Sequence, residues 1–373
     1  MTILIAPDKF KGSLSAQEVC DAISKELIAN GLSEIVALPL ADGGEGTCEL
    51  LTSFSGGSLV TIPVRDPLSR TIESKYGISK DRRIAFLEMA KASGLQLLKE
   101  GERNPWFTTT AGTGDLIRHA LDQGVEHIIM GVGGSATNDG GMGMAESLGV
   151  GFYDVAGNRL ECNGGNLSRI RSVDTSGIHP RLANIQFTIF CDVDNPLHGL
   201  QGAAYIFSPQ KGADINMVRE LDDGLKHYER MLETKTGLKV NFPGAGAGGG
   251  LPASIKAFAH VMVRRGMDYI IEFTKLEDNV RAADLIITGE GKLDGQTLSG
   301  KVVKGISDLS RKFKKDLIII AGKNDLGKEE LDSLHAKRII TLVNKNITDQ
   351  EAIKGAFRLI QQRVKEEIIP LFL

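Results

Sequence analysis

The segment GVGGSATNDGGMG, residues 131–143, is the part of the sequence from which the fold can first be inferred. The apolar stretch HIIM before it predicts a buried strand, and the stretch MAESL after it has the pattern of a short helix. The segment, called here the glycine-rich loop, is therefore a turn between a strand and a helix. Glycines permit positive φ and close approach of a ligand, and a helix N-terminus offers free N–H groups to an anion.

This composition is typical of a loop that binds phosphate. The residues that would supply backbone or side-chain donors are Gly133, Gly134, Ser135, Thr137, Asn138, Gly140 and Gly141. Asp139 adds a carboxylate that could contact a metal ion beside the phosphate. The segment matches neither GxxxxGK[ST] nor GxGxxG, so neither familiar nucleotide motif applies. For this segment alone, a tight structural turn explains the same glycines equally well.

The composition of the chain excludes several classes of protein. Its 373 residues suffice for two domains, and the net charge of -3 gives no general attraction to nucleic acid or membranes. The four cysteines are scattered without a CxxC pair, which argues against a zinc site or a disulfide scaffold and fits a reducing, cytoplasmic location. No stretch resembles a signal peptide or a membrane span.

The two ends of the chain have a common rhythm of strands and helices. Strands are predicted at 2–6, 34–38, 285–288, 317–321 and 338–343, with helical patterns between them. This alternation is typical of a parallel sheet covered by helices. Residues 58–79 instead alternate as antiparallel strands around Asp66-Pro67-Leu68, which indicates a second domain. The simplest architecture is one α/β domain built from both chain ends, with a second α/β domain inserted.

Polar side chains follow the predicted strands of the first domain. They are Asp8, Lys9, Lys11 and Ser13 after the first strand, Asp42 and Glu45 after the second, and Glu290, Asp294, Gln296, Thr297 and Lys301 after the third. Ligands of open α/β sheets bind at the carboxyl ends of the strands. The lysines suit a phosphate or carboxylate and the acidic groups suit a hydroxyl or a metal ion, although solvated turns are the simpler alternative.

A pair of carboxylates follows a strand of the inserted domain. Asp192 and Asp194 end the apolar stretch from residue 185, and in an extended chain their side chains point the same way. Paired carboxylates suit magnesium or a general base, whereas a turn closed by Asp, Asn and Pro is the alternative. The hydroxyls at 108–114 could bind an anion at a helix start, or Thr113 could be only an N-cap.

Together these loops resemble the type I glycerate kinases. The segments that carry the resemblance are PDKFKGSLSA (7–16), LADGGEGT (40–47), LEMAKASGL (87–95), ERNP with TTTAGTGDLI (102–117), GVGGSATNDGGMG (131–143), CDVDNPL (191–197), PGAGAGGG (243–250) and GEGKLDGQTLSGK (289–301). They occur in the family's order over nearly the whole chain. Ala111 departs from the pattern, because the family often has an aromatic residue there.

The resemblance implies an α/β fold of two α/β domains, with the active site in the cleft between them. One is a Rossmann-like parallel-sheet domain formed by residues 1–60 and 280–373, and the other is a mixed α/β domain of residues 61–279 that carries the glycine-rich loop. It also implies ATP-dependent phosphorylation of D-glycerate with Mg²⁺, at O2 to give 2-phosphoglycerate. We expect small-molecule partners, no nucleic acid, no membrane, and a monomer or homodimer.

Several alternatives stay open for the reaction. The phosphoryl group could go to O3, giving 3-phosphoglycerate, or the substrate could be another small hydroxy acid. A non-catalytic protein that binds a phosphate ligand is the alternative of a different class. Metal-dependent turnover of ATP distinguishes the kinases from the binding protein.

Roles can be assigned to the residues on chemical grounds. Asp192 or Asp194 would orient the attacking hydroxyl and accept its proton, and Lys9 or Lys11 would neutralise charge. Nucleotide phosphates would be held by the glycine-rich loop together with Lys301. The residues expected to bind substrate are Asp8, Ser13, Asp42, Glu45, Asp294, Gln296 and Thr297. Asp139 and Glu290 are the expected contacts of the metal ion.

Overall fold

The computed structural model describes residues 1–299 and 301–372 and shows a mixed α/β protein. The chain divides into two compact units, which are described separately. Unit 1 consists of Met1–Gly46 and Gly266–Leu373, and unit 2 of Thr47–Arg265. Gly300, in the motif at 289–301, lies outside the described residues.

The strands are β1 Ile3–Ile5, β2 Ile35–Ala37, β3 Ser58–Arg65, β4 Thr71–Ile78, β5 Ile84–Glu88, β6 His127–Gly131, β7 Gly151–Tyr153, β8 Ser172–Asp174, β9 Gln186–Phe190, β10 His260–Arg264, β11 Leu285–Leu293, β12 Asp316–Asn324 and β13 Arg338–Thr341. The α-helices are α1 Ala16–Ala29, α2 Thr47–Phe54, α3 Ala90–Ser93, α4 Ala111–Asp122, α5 Met142–Ser147, α6 Ala203–Phe207, α7 Ile215–Thr236, α8 Leu251–Phe258, α9 Gly266–Phe273, α10 Leu276–Ala282, α11 Val302–Phe313, α12 Lys328–Asp332 and α13 Asp349–Arg363. None of these helices in the described part of the chain has the length and apolar character needed to span a bilayer.

Unit 1 is built on a parallel sheet with the strand order β13-β12-β11-β1-β2. Numbered within the unit, this is the doubly wound order 2-1-3-4-5, which reverses direction between β1 and β11. The apolar residues of β1, β11 and β12 are buried among helices such as α1 and α13, as expected for a parallel sheet covered by helices, whereas the edge strand β2 is mostly exposed. The capping box of Ser15 and Glu18 starts α1 where the sequence predicts it.

Unit 2 contains a mixed sheet with the order β10-β9-β6-β5-β4-β3. The pairs from β10 to β5 are parallel, and β4 and β3 continue the sheet in antiparallel fashion. The predicted antiparallel pair around Asp66 is therefore confirmed. A separate antiparallel pair, β7 and β8, lies outside this sheet.

The chain passes from unit 1 to unit 2 after Gly46 and returns to unit 1 at Gly266. The predicted boundaries were 60/61 and 279/280. Helix α2 belongs to unit 2 because the Cys48 amide donates to Glu88 Oε1 of β5 at 2.9 Å and its thiol to the Phe86 carbonyl at 3.0 Å. Helix α9 belongs to unit 1, where Met267 packs against Gly305 of α11. The helices follow the sheets that cover their apolar faces.

Candidate active site

Three carboxylates gather at the carboxyl edge of the unit 1 sheet. Asp8 follows β1, Asp42 follows β2, and Glu290 lies on β11, which pairs with β1. The Asp8 amide donates to the Gly289 carbonyl at 2.8 Å, so the chain after β1 stays beside β11. This is the point where the strand order reverses, and ligands of doubly wound sheets bind there. Glu290 was expected in a loop, but the pairing of β11 with β12 continues as far as Leu293.

The surroundings of two of these carboxylates, Asp8 and Glu290, disfavour negative charge. Asp8 and Glu290 are each only 8% exposed. Burial, together with the nearby charge of Asp42, raises the pKa of Asp8 to about 7. Burial also raises the pKa of Glu290 to about 7, with Asp8 adding to the shift, although Thr297 Oγ1 donates to Glu290 Oε1 at 2.6 Å. A cation at this edge would relieve the repulsion between the carboxylates.

Two lysines accompany the carboxylates of unit 1. Lys301, the residue before α11, places Nζ 3.3 Å from Asp42 Oδ2 and donates to Gln296 Oε1 at 3.1 Å. Lys9 hydrogen-bonds the backbone carbonyl of Glu45 and lies 3.5 Å from Glu45 Oε2. The edge therefore carries both signs of charge, as a site for an anionic, hydroxylated substrate requires.

Three of the predicted residues have other surroundings. Lys11 is exposed. Ser13 donates its hydroxyl proton to the Ile353 carbonyl of α13 at 2.5 Å, so that proton is not directed towards a substrate. The Gln296 amide donates a hydrogen bond to Asp294 Oδ1 at 2.9 Å, and Asp294 Oδ2 lies 3.6 Å from Lys292 Nζ. These two contacts order the turn after β11.

In unit 2, the glycine-rich loop has an accessible part and a buried part. Gly133 and Gly134 are exposed and Ser135 is half-buried, whereas the residues from Thr137 to Gly141 are buried. The loop is held beside the segment at 93–95, because the Leu95 amide donates to the Gly134 carbonyl at 2.9 Å. In this conformation a ligand can reach the backbone of the loop only in its accessible part, which is Gly133, Gly134 and Ser135.

Asp139 ties the loop to two helices. Its Oδ2 accepts from the Thr110 amide at 2.8 Å, from Thr110 Oγ1 at 2.7 Å and from the Gly143 amide at 3.1 Å, and its Oδ1 accepts from the Gly141 amide at 3.1 Å. The Met144 amide donates to Thr110 Oγ1 at 2.9 Å. The expectation that the helix after the loop offers free N–H groups is therefore wrong. Burial raises the pKa of Asp139, and the donated hydrogen bonds oppose that shift.

The buried part of the loop is packed against α7, α8 and the turn at 243–250. A Cβ on Gly140 would lie 2.6 Å from the Tyr228 ring, and one on Gly141 would lie 2.8 Å from Ser254 Cβ. A Cβ on Gly249 would lie 2.0 Å from the Thr137 carbonyl oxygen. These contacts require glycine for packing, and the assignment of Gly140 and Gly141 to the nucleotide stays a prediction.

Two loop side chains have unsatisfied polar atoms. Thr137 Oγ1 and both amide atoms of Asn138 are buried without a hydrogen-bond partner among the described residues. Buried polar groups are nearly always hydrogen-bonded, to water or to a ligand if not to protein. These atoms fit a loop whose hydrogen bonding is completed by something bound to it.

The predicted carboxylate pair lies at the same sheet edge as the loop. Gly131, at the end of β6, pairs with Phe190, at the end of the parallel neighbour β9. The loop and the segment that carries Asp192 and Asp194 therefore leave the sheet side by side. Both aspartates are exposed.

Lys211 is a candidate site residue that the sequence patterns do not indicate. It is 1% exposed, and its Nζ donates to Ser135 Oγ at 2.8 Å and to the Thr137 carbonyl at 2.7 Å. The contacts span more than seventy residues of sequence, so no local pattern indicates them. A lysine next to a glycine after Ser-Pro-Gln is otherwise typical of an exposed turn.

No group of three or more His, Cys, Asp or Glu side chains placed to hold a metal ion is found in residues 1–299 and 301–372. Mg²⁺ nevertheless often uses one or two carboxylates, with waters and substrate phosphates completing its shell. Glu290 fits that pattern, because burial and the neighbouring charge of Asp8 disfavour its negative charge, which a bound cation would stabilise. Asp139, enclosed by its donors, fits it poorly.

Comparison with known proteins gives a consistent result. Residues 3–372 match the model of the glycerate kinase family. A glycerate kinase of Bacillus cereus is 42% identical over 98% of this chain and 96% of its own length. A glycerate 2-kinase of Escherichia coli K12 is 41% identical over 96% of this chain and 94% of its own. The crystal structure of a candidate glycerate kinase 2 from Salmonella typhimurium LT2 superposes with a TM-score of 0.88, at 40% identity, covering 100% of this chain and 98% of the other.

Proposed function

This chain belongs to the glycerate kinase family, and we propose that it transfers the γ-phosphoryl group of ATP to O2 of D-glycerate with Mg²⁺, giving 2-phosphoglycerate and ADP. In this transfer a glycerate oxygen forms a bond to phosphorus as the bond to the β–γ bridging oxygen of ATP breaks, and the hydroxyl proton leaves. The observation that carries the proposal is that a glycine-rich loop and two carboxylates leave adjacent parallel strands together at Gly131 and Phe190.

The accessible part of the glycine-rich loop is the proposed binding site of the nucleotide phosphates. Gly133 and Gly134 leave the backbone uncovered, and the Ser135 hydroxyl stands beside it. Such a loop binds phosphate oxygens through backbone N–H groups. The unsatisfied atoms of Thr137 and Asn138 support the assignment, since a bound ligand or its water would complete their hydrogen bonds. Lys301 stays a predicted cationic contact of the nucleotide.

Asp192 or Asp194 is the proposed acceptor of the hydroxyl proton. Both are exposed at the edge of the sheet, where a substrate hydroxyl can reach them. Protein kinases use an aspartate in this role, and the benefit comes chiefly from orienting the nucleophile. The two residues remain alternatives for the role.

The carboxyl edge of unit 1 is the proposed contact for glycerate and the metal ion. Asp8 and Asp42 can accept hydrogen bonds from glycerate hydroxyls, and Lys9 supplies a positive charge for an anionic group. Glu290 is the proposed protein contact of Mg²⁺. The ion, when bound, would neutralise charge on the transferring phosphoryl group.

A coupled assay of ADP release with D-glycerate, ATP and Mg²⁺, followed by phosphorus NMR of the product, tests the proposal. A 2-phosphoglycerate signal is the expected result. A 3-phosphoglycerate signal would retain the kinase and refute the position. Absence of turnover with a folded, metal-supplied protein would refute glycerate as substrate. Assays with other small hydroxy acids then separate a different kinase from a binding protein without catalysis.

A further inference from the structure

Lys211 is the buried cation of unit 2 that the proposed mechanism does not use. It ends a short 3-10 helix, Pro209–Lys211, and the next residue, Gly212, has φ of +98°. A Cβ on Gly212 would lie 2.2 Å from the Arg103 carbonyl oxygen, so the turn after Lys211 is packed tightly against the segment at 103. The backbone therefore holds the lysine under the glycine-rich loop.

The surroundings of the ammonium group do not compensate its charge. Its two hydrogen bonds go to neutral oxygens, those of the Ser135 hydroxyl and the Thr137 carbonyl. No carboxylate forms an ion pair with it among the described residues, and Asp139 of the loop is the charged group whose field acts on it. An unpaired buried ammonium is costly to a protein. Burial accordingly lowers the pKa of Lys211 to about 7, with Asp139 opposing the shift.

We propose that Lys211 is a positioning residue for the phosphate-binding loop, which it holds in shape from beneath while placing a positive charge behind the bound phosphates. The inference rests on the proposed function, in which this loop binds the phosphates of ATP. Because Nζ donates to Ser135 Oγ, the hydroxyl proton of Ser135 is left to point elsewhere, and the half-buried Ser135 can donate it to a phosphate oxygen.

A bound phosphate also changes the protonation of Lys211. Negative charge nearby favours the ammonium form, so the pKa of Lys211 rises when nucleotide binds. Above neutral pH the free protein has part of its Lys211 deprotonated, and binding then takes up a proton. Affinity for nucleotide should therefore fall as the pH rises above the pKa of the free protein. A purely structural lysine would give neither effect.

The test is isothermal titration of the full-length protein with ADP, at about pH 6.5 and about pH 8.5, in buffers of different ionisation enthalpy. The wild type, Lys211→Met and the control Lys239→Met are compared, so that titration of ADP itself cancels. Lys239 is exposed and pairs with Glu233 at 2.9 Å in the same unit. We expect Lys211→Met to bind ADP about ten- to a hundredfold more weakly and to lose the extra proton uptake. The KM for glycerate should stay unchanged.

The outcomes separate the two proposals. If Lys211→Met, shown to be folded, binds ADP with wild-type affinity and proton uptake, the inference about Lys211 is wrong while the kinase stands. If Lys211→Met does not fold, Lys211→Gln replaces it, since the amide can still donate to the loop oxygens, and the same loss of proton uptake is expected. The inference is also refuted if the wild type, on binding ADP, takes up no more protons than the titration of ADP itself accounts for. A wild type that neither binds ADP nor turns over ATP refutes the proposed function and the inference together.

Discussion

At the scale of single residues, the buried carboxylates of unit 1 lower the stability of the folded protein when they are ionised. Asp8 has a pKa of about 7 in the folded protein, well above the usual value for an aspartate. Below the pKa of the unfolded chain the protonated group causes no loss. As the pH rises towards the folded pKa, stability falls, because the unfolded chain ionises more easily.

Asp8→Asn should therefore stabilise the protein at alkaline pH. We expect a gain of about 1–3 kcal/mol in the free energy of unfolding at about pH 8, and a much smaller gain at about pH 4.5, just above the pKa of an aspartate in the unfolded chain, measured with urea. Activity should fall, because Asp8 is a proposed substrate contact. The control is Asp332→Asn, an exposed carboxylate of unit 1. An equal effect of both substitutions, or destabilisation at the higher pH, would contradict this account.

The assignment of the proton acceptor is tested by Asp192→Asn and Asp194→Asn. The substitution that removes the base should lower kcat by about 10²–10⁴-fold with little effect on folding, since both residues are exposed. Steady-state kinetics and circular dichroism give the two measurements. Asp223→Asn, on the exposed face of α7, is the control. Near-normal turnover in both variants would remove the pair from the mechanism.

At this scale the sequence predicts which strand ends come together better than it predicts the contacts of single side chains. Asp8, Asp42 and Glu290 were identified because each stands at or near a strand end, and parallel strands bring their ends together. Asp139 was expected at a metal, but its partner Thr110 lies 29 residues away and only the folded chain shows that their contacts are internal. Lys211 was missed for the same reason.

At the scale of elements, two glycine-rich segments support each other. The turn at 243–250 packs on the buried part of the glycine-rich loop, and Gly249 is the contact to the Thr137 carbonyl that also accepts from Lys211. A side chain at residue 249 would displace that carbonyl. The second segment therefore shapes the first without needing a ligand of its own.

Gly249→Ala should destabilise the protein more than Gly124→Ala. Both glycines have positive φ, +74° and +88°, so alanine is strained at each by about 1–2 kcal/mol. Only Gly249 also meets backbone, whereas the position of a Cβ on Gly124 is open. We expect a further loss of about 1–3 kcal/mol and weakened ADP binding for Gly249→Ala, measured by urea unfolding and titration. Equal losses in both variants would show that the contact does not matter.

Element boundaries could be predicted where local signals decide them. The sequence predicts a helix from Thr47 to about Phe54, where α2 is found, and its capping box places the start of α1. The sequence predicts a helix from Asp115, but α4 begins at Ala111, because Asp139 accepts a hydrogen bond from the Thr110 amide in front of it. Thr113 is thus inside the helix and bonds to Ser93 Oγ at 2.7 Å. Distant partners decided what local patterns could not.

At the scale of the whole molecule, unit 2 is one continuous stretch of chain with its own apolar core. A fragment of residues 47–265 should therefore fold by itself and unfold cooperatively on heating. Circular dichroism and the dispersion of amide NMR signals would show it. Residues 1–46 alone should stay unfolded, because β1 pairs with β11 from the far end of the chain. A fragment 47–265 without ordered signals would refute the independence of unit 2.

The overall fold class follows from the sequence, because the rhythm of strands and helices determines which sheets can form. The division of the chain is less predictable. The β3–β4 hairpin shows where a new pattern starts, but α2 precedes it with an ordinary amphipathic sequence. Its membership of unit 2 depends on the contacts of Cys48 with β5, which no local feature indicates.

The place where the chain returns to unit 1 has a consequence for ancestry and for engineering. A Cβ on Gly266 would lie 2.3 Å from the Asp42 carbonyl oxygen, so the exit near residue 46 and the return at 266 are neighbours in space. A domain can accept an inserted domain without loss of its own fold when the two ends of the insertion point lie close together. Unit 1 therefore has the geometry of a domain that can carry an insertion. Replacing unit 2 by a few flexible residues would join the two segments of unit 1 into one small protein with a sheet of five parallel strands.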